Sequence, residues 1–394
     1  MKRILALVLC LSLVLCGCAK EQEATQPAST AAPTTQATTA PTTEPTAEPT
    51  TEPTEPPTEP ATEPPTEPPT EPPTEPTEPE VVYQHPITGE TLDGPMESRP
   101  VAVVINNILA AQPLHGIGDA DVLFEIMAEG GGSITRCLAI YSDIEKAGTI
   151  GSIRSARTYL IDLARAYWAV LVHCGGSEYA LAELKSSYYN SVNEFYNGSF
   201  FFRNQDRVNG GYAWEHTLFS TGPDLAAAME KNGFDMVNEG GKDFGMIFEE
   251  NVVLNGETAN EISLYFYKGG KCTTMNYDEE KGVYYGTQKW KDQAGKYSIY
   301  QPFSDNNTGK KVPYENVLIL YARTSSDGYR MFAELTGEGK GYFACNGQIV
   351  PIIWKRSKLS QPFRYYLEDG TQVSMGIGKS YIGIIPTNSP VEYQ

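Results

Sequence analysis

Apolar residues gather in one dense block at the start of the chain, almost vanish, and then return in two different rhythms. The block covers 4–15 and follows Lys2 and Arg3. It is too short to span a bilayer, and a basic start before a short apolar core is the pattern of an export signal. Positions 21–80 hold little but Thr, Pro and Glu, with a Thr-Glu-Pro repeat that becomes regular after Thr43. Proline lacks an N–H, fixes φ and pushes the preceding residue to extended geometry, so no helix forms, and too little is apolar to build a core. The expectation is a stiff, polyproline-like spacer, reaching at most on the order of 190 Å at ~3.1 Å per residue.

From Val81 the pattern is that of a globular protein. Apolar runs at 100–105, 121–127, 137–141 and 168–172 predict strands buried on both faces. Helical spacing recurs at 156–167, 177–186 and 224–232. Tyr159, Leu160, Leu163, Ala164 and Tyr167 make one apolar face, with Ser155 as the expected N-cap. Ser177 is the expected cap of the second helix, and Thr221-Gly222-Pro223-Asp224 opens the third. Strands interleaved with helices over 81–244 argue an α/β layered domain. From about Gly245 the helical rhythm stops. Eleven short β-branched or aromatic runs follow between 262 and 385, and Asn346-Gly347 and Asp369-Gly370 are strong hairpin signals. The expected fold is therefore an α/β N-terminal layered domain plus a mostly antiparallel β C-terminal domain over 245–394, as a sheet, sandwich or open barrel.

Charge and cysteines narrow the setting. The formal net charge is −19, and 19–80 hold thirteen Glu against one Lys, so much of the acidity belongs to the spacer. The remaining 81–394 hold 36 acidic and 27 basic residues. A negative surface argues against nucleic acid or anionic lipid as a partner. Leu15-Cys16-Gly17-Cys18 resembles the lipobox of bacterial lipoproteins. That resemblance implies a signal peptide at 1–17, a lipidated Cys18 heading the 18–80 stalk, and a protein anchored to the outer face of the cell membrane. Acyl chains add ~0.8 kcal/mol per buried CH₂, which makes such an anchor firm. Cys137, Cys174, Cys272 and Cys345 remain in the globular part; their spacing dictates no disulfide pairing, and small buried residues are the expectation.

The stretches RPVAVVINN (99–107), GDADVLFEIMAEGGGSITRCLAIY (118–141), IGSIRSARTYLIDLA (150–164) and HCGGSEYA (173–180) resemble the YerB-like lipoprotein family, whose two parts are domains of unknown function. In the second half, MNYDEEKGVYY, ENVLIL, GKGYFACNGQIVPIIWKRS and GKSYIGIIP resemble its C-terminal domain. The resemblance covers nearly all of 95–390 and implies a two-part protein of the Gram-positive cell envelope, with no catalytic assignment. Around 203–220 the chain departs from its relatives, having Trp214-Glu215-His216-Thr217 where they tend to a Pro-His-Asn-type motif, so no role is carried onto His216.

One constellation could carry chemistry. Glu125, Glu129, Arg136, Arg154 and Arg157 accompany Gly-rich turns at 130–132 and 175–176, and His173, Gly175, Gly176 and Ser177 end a predicted strand. Ligands of open α/β sheets sit at the carboxyl ends of strands. A guanidinium fork suits carboxylate or phosphate, and glycine turns can present backbone N–H donors. The expectation is an anion-binding pocket in which Arg154 and Arg157 grip the ligand and the glutamates orient the arginines. The plain alternative is a buried ion-pair network with no ligand. A rival of another class is a cell-wall hydrolase or transferase using Glu125 and Glu129, or Cys174. Glycan cleavage needs two carboxyls ~5–9.5 Å apart with one pKa raised, whereas arginines nearby lower both. His173 and Cys174 point to opposite faces of a strand and cannot serve as nucleophile and base for each other. With only His85, His115, His173 and His216 scattered along the chain, no metal ligand set is apparent and no cofactor is expected. The tyrosines and tryptophans of the β part, Trp290 and Trp354 among them, suit a core or a partner-docking face. The reading favours binding over catalysis: a lipid-anchored accessory protein meeting an envelope protein or cell-wall component.

Overall fold

The computed structural model describes residues 82–129, 134–238, 240–267 and 269–394. The expected signal peptide, Cys18, the 18–80 stalk and the 130–132 turn lie outside the described residues. Among the described residues no helix is long and apolar enough to cross a membrane.

The fold is mixed and strand-rich, with about 45% strand and 16% helix. Its first half supplies β1 (Val101–Asn107), β2 (Val122–Glu129), β3 (Ile134–Tyr141), β4 (Thr149–Gly151), α1 (Thr158–Ala166), β5 (Val170–His173), α2 (Glu178–Ser186), β6 (Ser191–Asn193), β7 (Leu218–Thr221) and α3 (Gly222–Lys231). The second half supplies β8 (Glu261–Tyr265), β9 (Cys272–Asp278), β10 (Val283–Lys291), β11 (Tyr297–Pro302), β12 (Asn316–Ala322), β13 (Gly337–Cys345), β14 (Gln348–Arg356) and β15 (Ser380–Pro386).

One eleven-stranded sheet organises all of this. Its central order is β14, β13, β12, β15, β2, β3, β1, β5, β6. β15 pairs in parallel with both β12 and β2, so a strand close to the C-terminus joins the two halves. Strands from either side of the expected 244/245 boundary thus share one sheet, and Thr77–Gln394 form one compact unit. β15 also departs from the mostly antiparallel expectation for the second half. A buried parallel strand must be apolar on both faces, and β15 reads Ser-Tyr-Ile-Gly-Ile-Ile-Pro.

Side chains alternate across this sheet. Ala102, Val104, Phe124, Ile126, Leu138, Leu171 and Leu318 fall in one core with α1 and α2. Val101, Val103, Ile105, Leu123, Cys137, Val172 and Val317 fall in the other, with α3 and the second sheet. Period-2 alternation with both faces covered explains why these strands are near-continuous apolar runs. The second sheet, β11-β10-β9-β8, is antiparallel. It buries Ile262, Leu264, Met275 and Tyr284 against the main sheet.

Two local expectations are corrected. Ser155 does not cap α1: the helix begins at Thr158 with Arg157 as its N-cap, which makes no side-chain cap bond. The fourth strand begins at Val170, because Trp168 takes a left-handed backbone (φ 51°) in the turn that ends α1. Ser177 and Thr221 do cap α2 and α3, accepting from the backbone N–H of Ala180 and Asp224.

Candidate functional site

The parallel strands β1, β2, β5 and β6 end on one edge of the main sheet, where β3 begins. Residues 152–157 run along that edge. The Arg154 N–H donates to the Val104 carbonyl, Cys174 N–H to Arg154, and Ala156 N–H to Gly175. The edge therefore brings together Glu129, Arg136, Arg154, Arg157, His173, Gly175, Gly176 and Ser177, drawn from four separate elements.

Glu129 lies between two arginines. It accepts from Arg136 Nη2 at 2.9 Å and pairs closely with Arg157. Arg136 also donates to the Ser155 carbonyl at 2.6 Å, and Arg157 to the Ala156 carbonyl at 2.8 Å. Burial lowers both guanidinium pKa values, that of Arg136 to about 10, so Arg136 stays charged at neutral pH. Arg154 is the accessible member: its side chain keeps 22% of its surface and meets Glu215 only loosely, at 3.5 Å. Arg136 and Arg157 share the single carboxylate of Glu129. Among the described residues, eleven buried side-chain polar atoms lack a hydrogen-bond partner. Five of them are on this stretch: Ser152 Oγ, Arg154 Nε, Arg157 Nε, Tyr159 OH and His173 Nε2.

Glu125 does not belong to this group. It faces the other side of the sheet, fully buried, and five donors saturate it. Its Oε1 accepts from Asn107 (3.0 Å), Thr135 (2.8 Å) and Lys271 (2.9 Å), and its Oε2 from Thr273 (2.8 Å) and Tyr381 (2.7 Å). Lys271, equally buried, also lies 4.5 Å from the centre of the Trp290 ring. This is a structural ion pair holding the second sheet to the first. It also removes the glycosidase pair, because Glu125 and Glu129 lie on opposite faces of one sheet.

The Gly175 turn binds its own protein. Its N–H donates to Asn193 Oδ1 at 3.0 Å, and Ser177 N–H to the Ala156 carbonyl at 3.2 Å. The Gly175 and Ser177 amides are therefore taken and are not free for an anion as expected. His173 is buried, with Nδ1 2.6 Å from the Gly175 carbonyl, and burial lowers its pKa to about 4. Cys174 lies half-buried beside Glu194, 3.4 Å from its Oε2. Burial and then that carboxylate push the thiol up to about 11, the reverse of a nucleophile's environment. Cys137, Cys272 and Cys345 are buried free thiols. Among the described residues no group of three or more His, Cys, Asp or Glu could hold a metal ion.

Sequence reasoning missed several residues of this edge. Glu215 and His216 sit on a short 3-10 turn, His216 Nδ1 2.8 Å from Asn106 Nδ2. Arg203 lies over Trp214, 4.3 Å from the centre of its ring. Trp214 itself is 63% exposed, and Phe195, 68% exposed, lies beside the Gly175 turn. A lone exposed aromatic in a polar loop has no periodic signature; the one available hint was a Trp-Glu-His triplet inside a segment without a pattern.

Comparison with known proteins gives one consistent picture. Residues 87–235 match the family described as "Protein of unknown function (DUF3048) N-terminal domain", and residues 262–382 match its C-terminal domain. The chain is similar to "Putative lipoprotein YerB" of Bacillus subtilis (strain 168), 27% identical over 76% of this chain and 86% of that protein. The crystal structure of YerB from Bacillus subtilis superposes with a TM-score of 0.66 at 27% identity, over 79% of this chain and 99% of that one.

Proposed function

We propose, taking as premise that this chain belongs to the DUF3048 family, that it is a lipid-anchored extracytoplasmic binding or accessory protein of the bacterial cell envelope. Cys18 holds it to the outer face of the cell membrane, and 18–80 keep the folded part at a distance. At the strand-end edge it takes an anionic ligand or partner segment carrying a carboxylate or phosphate. The observation that carries this reading is the set of buried donors without partners at Arg154, Arg157 and Tyr159. Among the described residues, five of the eleven unsatisfied buried atoms fall on this one edge, and such a cluster beside three guanidinium groups suits an acceptor that arrives from outside. Arg154 makes first contact. Arg136 and Arg157, fixed by Glu129, supply the field behind it.

Two measurements test the reading. Titrating the full chain with succinate and with inorganic phosphate should raise its melting temperature as ligand binds the folded state. Arg154→Ala should weaken that response at least about tenfold while leaving the unliganded melt in place. An unchanged response in the variant, or none in the wild type, removes the anion site. For the anchor, Cys18→Ser should move the protein from the membrane fraction to the medium; a variant that stays with the membrane overturns lipid attachment at that residue.

A further inference from the structure

We propose that the ligand of this edge is an acidic oligosaccharide, with a sugar ring laid on Trp214 and its acid group against Arg154; the inference rests on the anion-binding reading above. Trp214 is 63% exposed, although an indole is among the side chains with most to gain from burial. It is nonetheless held in place. The Arg203 guanidinium lies over the ring at 4.3 Å, and its Nη1 donates to the Trp214 carbonyl at 2.9 Å. Glu194 Oε1 stands 3.8 Å from Arg203 Nη2 and steadies it from behind. Trp214 is thus an oriented platform rather than a loose side chain, and preorganisation of that kind lowers the ordering cost of binding.

The platform adjoins the charge. Glu215, the next residue, is the loose partner of Arg154, and its side chain is 53% exposed. It can swing into water as a ligand acid takes its place. On the other flank the Phe195 ring packs against Gly175, 3.1 Å from where a Cβ would stand. A fitting ligand must therefore offer a flat face rich in C–H next to an anionic group, and an acidic sugar has both. A peptide fits less well. Strand addition needs an exposed edge of some length, and β6, the nearest, is three residues long with Val192 and Asn193 buried.

The test uses the full chain with three probes: a galacturonic acid hexamer, a neutral cellohexaose and succinate, followed by calorimetry. The acidic hexamer should bind more tightly than succinate, and cellohexaose not measurably. Trp214→Ala should weaken the hexamer about tenfold and leave succinate unchanged, with Trp214→Phe recovering most of the loss. Arg154→Ala should weaken both acids. If succinate binds through Arg154 but the hexamer gains nothing from Trp214, the sugar inference falls and the anion site stands. If neither acid binds, both fall. If cellohexaose binds as well as the hexamer, or a proline-rich acidic peptide outcompetes it, the acidic-glycan assignment is overturned.

Discussion

Glu125 and Glu129 are four residues apart on one strand and have opposite surroundings. Strict alternation would put them on the same face. The ladder shifts register between Met127 and Glu129, and that irregularity turns Glu129 over to the α1 side. A bulge of this kind leaves no mark in the hydrophobic pattern, so the pattern alone groups both glutamates with the arginines. Lys271 was equally hidden: it follows Gly269-Gly270 and reads as a solvated turn, yet it is the buried counter-ion of Glu125. Removing either partner of such a pair strands a charge, at a cost of ~3–5 kcal/mol. His173 behaves differently because it is buried as a neutral ring. Its folded pKa of about 4 lies below the ordinary value of 6.5. The stability this confers is complete above pH about 6.5 and is lost as pH falls through about 4, since the unfolded chain takes up the proton first. Between pH 7.5 and 5 the wild type should therefore lose about 2 kcal/mol more than His173→Gln in urea unfolding. His85, His115 and His216 are also lowered by burial but are common to both proteins, so the difference isolates His173. Parallel pH profiles would mean that the ring is not held neutral.

Elements were more legible than residues. Every run picked out between 262 and 385 corresponds to a strand, because half-buried strands alternate and turn residues punctuate them. Asn346-Gly347 is the clearest instance. Both residues take positive φ (51° and 73°), as a tight hairpin turn demands, and Cys345 pairs with Gln348 across it. Helix ends depended on which local signal was followed. Ser177 and Thr221 sit directly before an apolar period and cap as expected. Ser155 sits inside a segment already committed to the sheet edge, where its carbonyl receives Arg136 and its neighbours bond to β1 and to the turn after β5. Tertiary pairing there outweighs a cap typically worth ~1 kcal/mol. The candidate site follows the same logic. That it forms at the strand ends near 154–177 could be read from the chain, whereas its aromatic rim comes from 195 and 214, which only the fold brings near.

The pairing of β15 with β2 is what most shapes the whole molecule, and no local pattern could reveal it. Phe124 lies opposite Ile382, more than half the chain away, and the contact carries no turn signal or composition change. Two consequences follow from its position at the centre of the sheet. The 82–244 segment, made alone, exposes the β15-facing side of β2, whose apolar side chains are buried in the intact sheet. The 245–394 segment likewise leaves β15 without β2, and takes from the second sheet the surface on which Ile262, Leu264 and Met275 pack. Unpaired central strands with buried-type sequences associate rather than fold alone. Matching family halves at 87–235 and 262–382 therefore need not be separate folding units. The full chain should melt in a single cooperative step by circular dichroism, neither fragment should show one by itself, and the two fragments should co-purify when expressed together. A cooperative melt from either fragment alone would establish an independent domain and place the boundary at 244/245 after all.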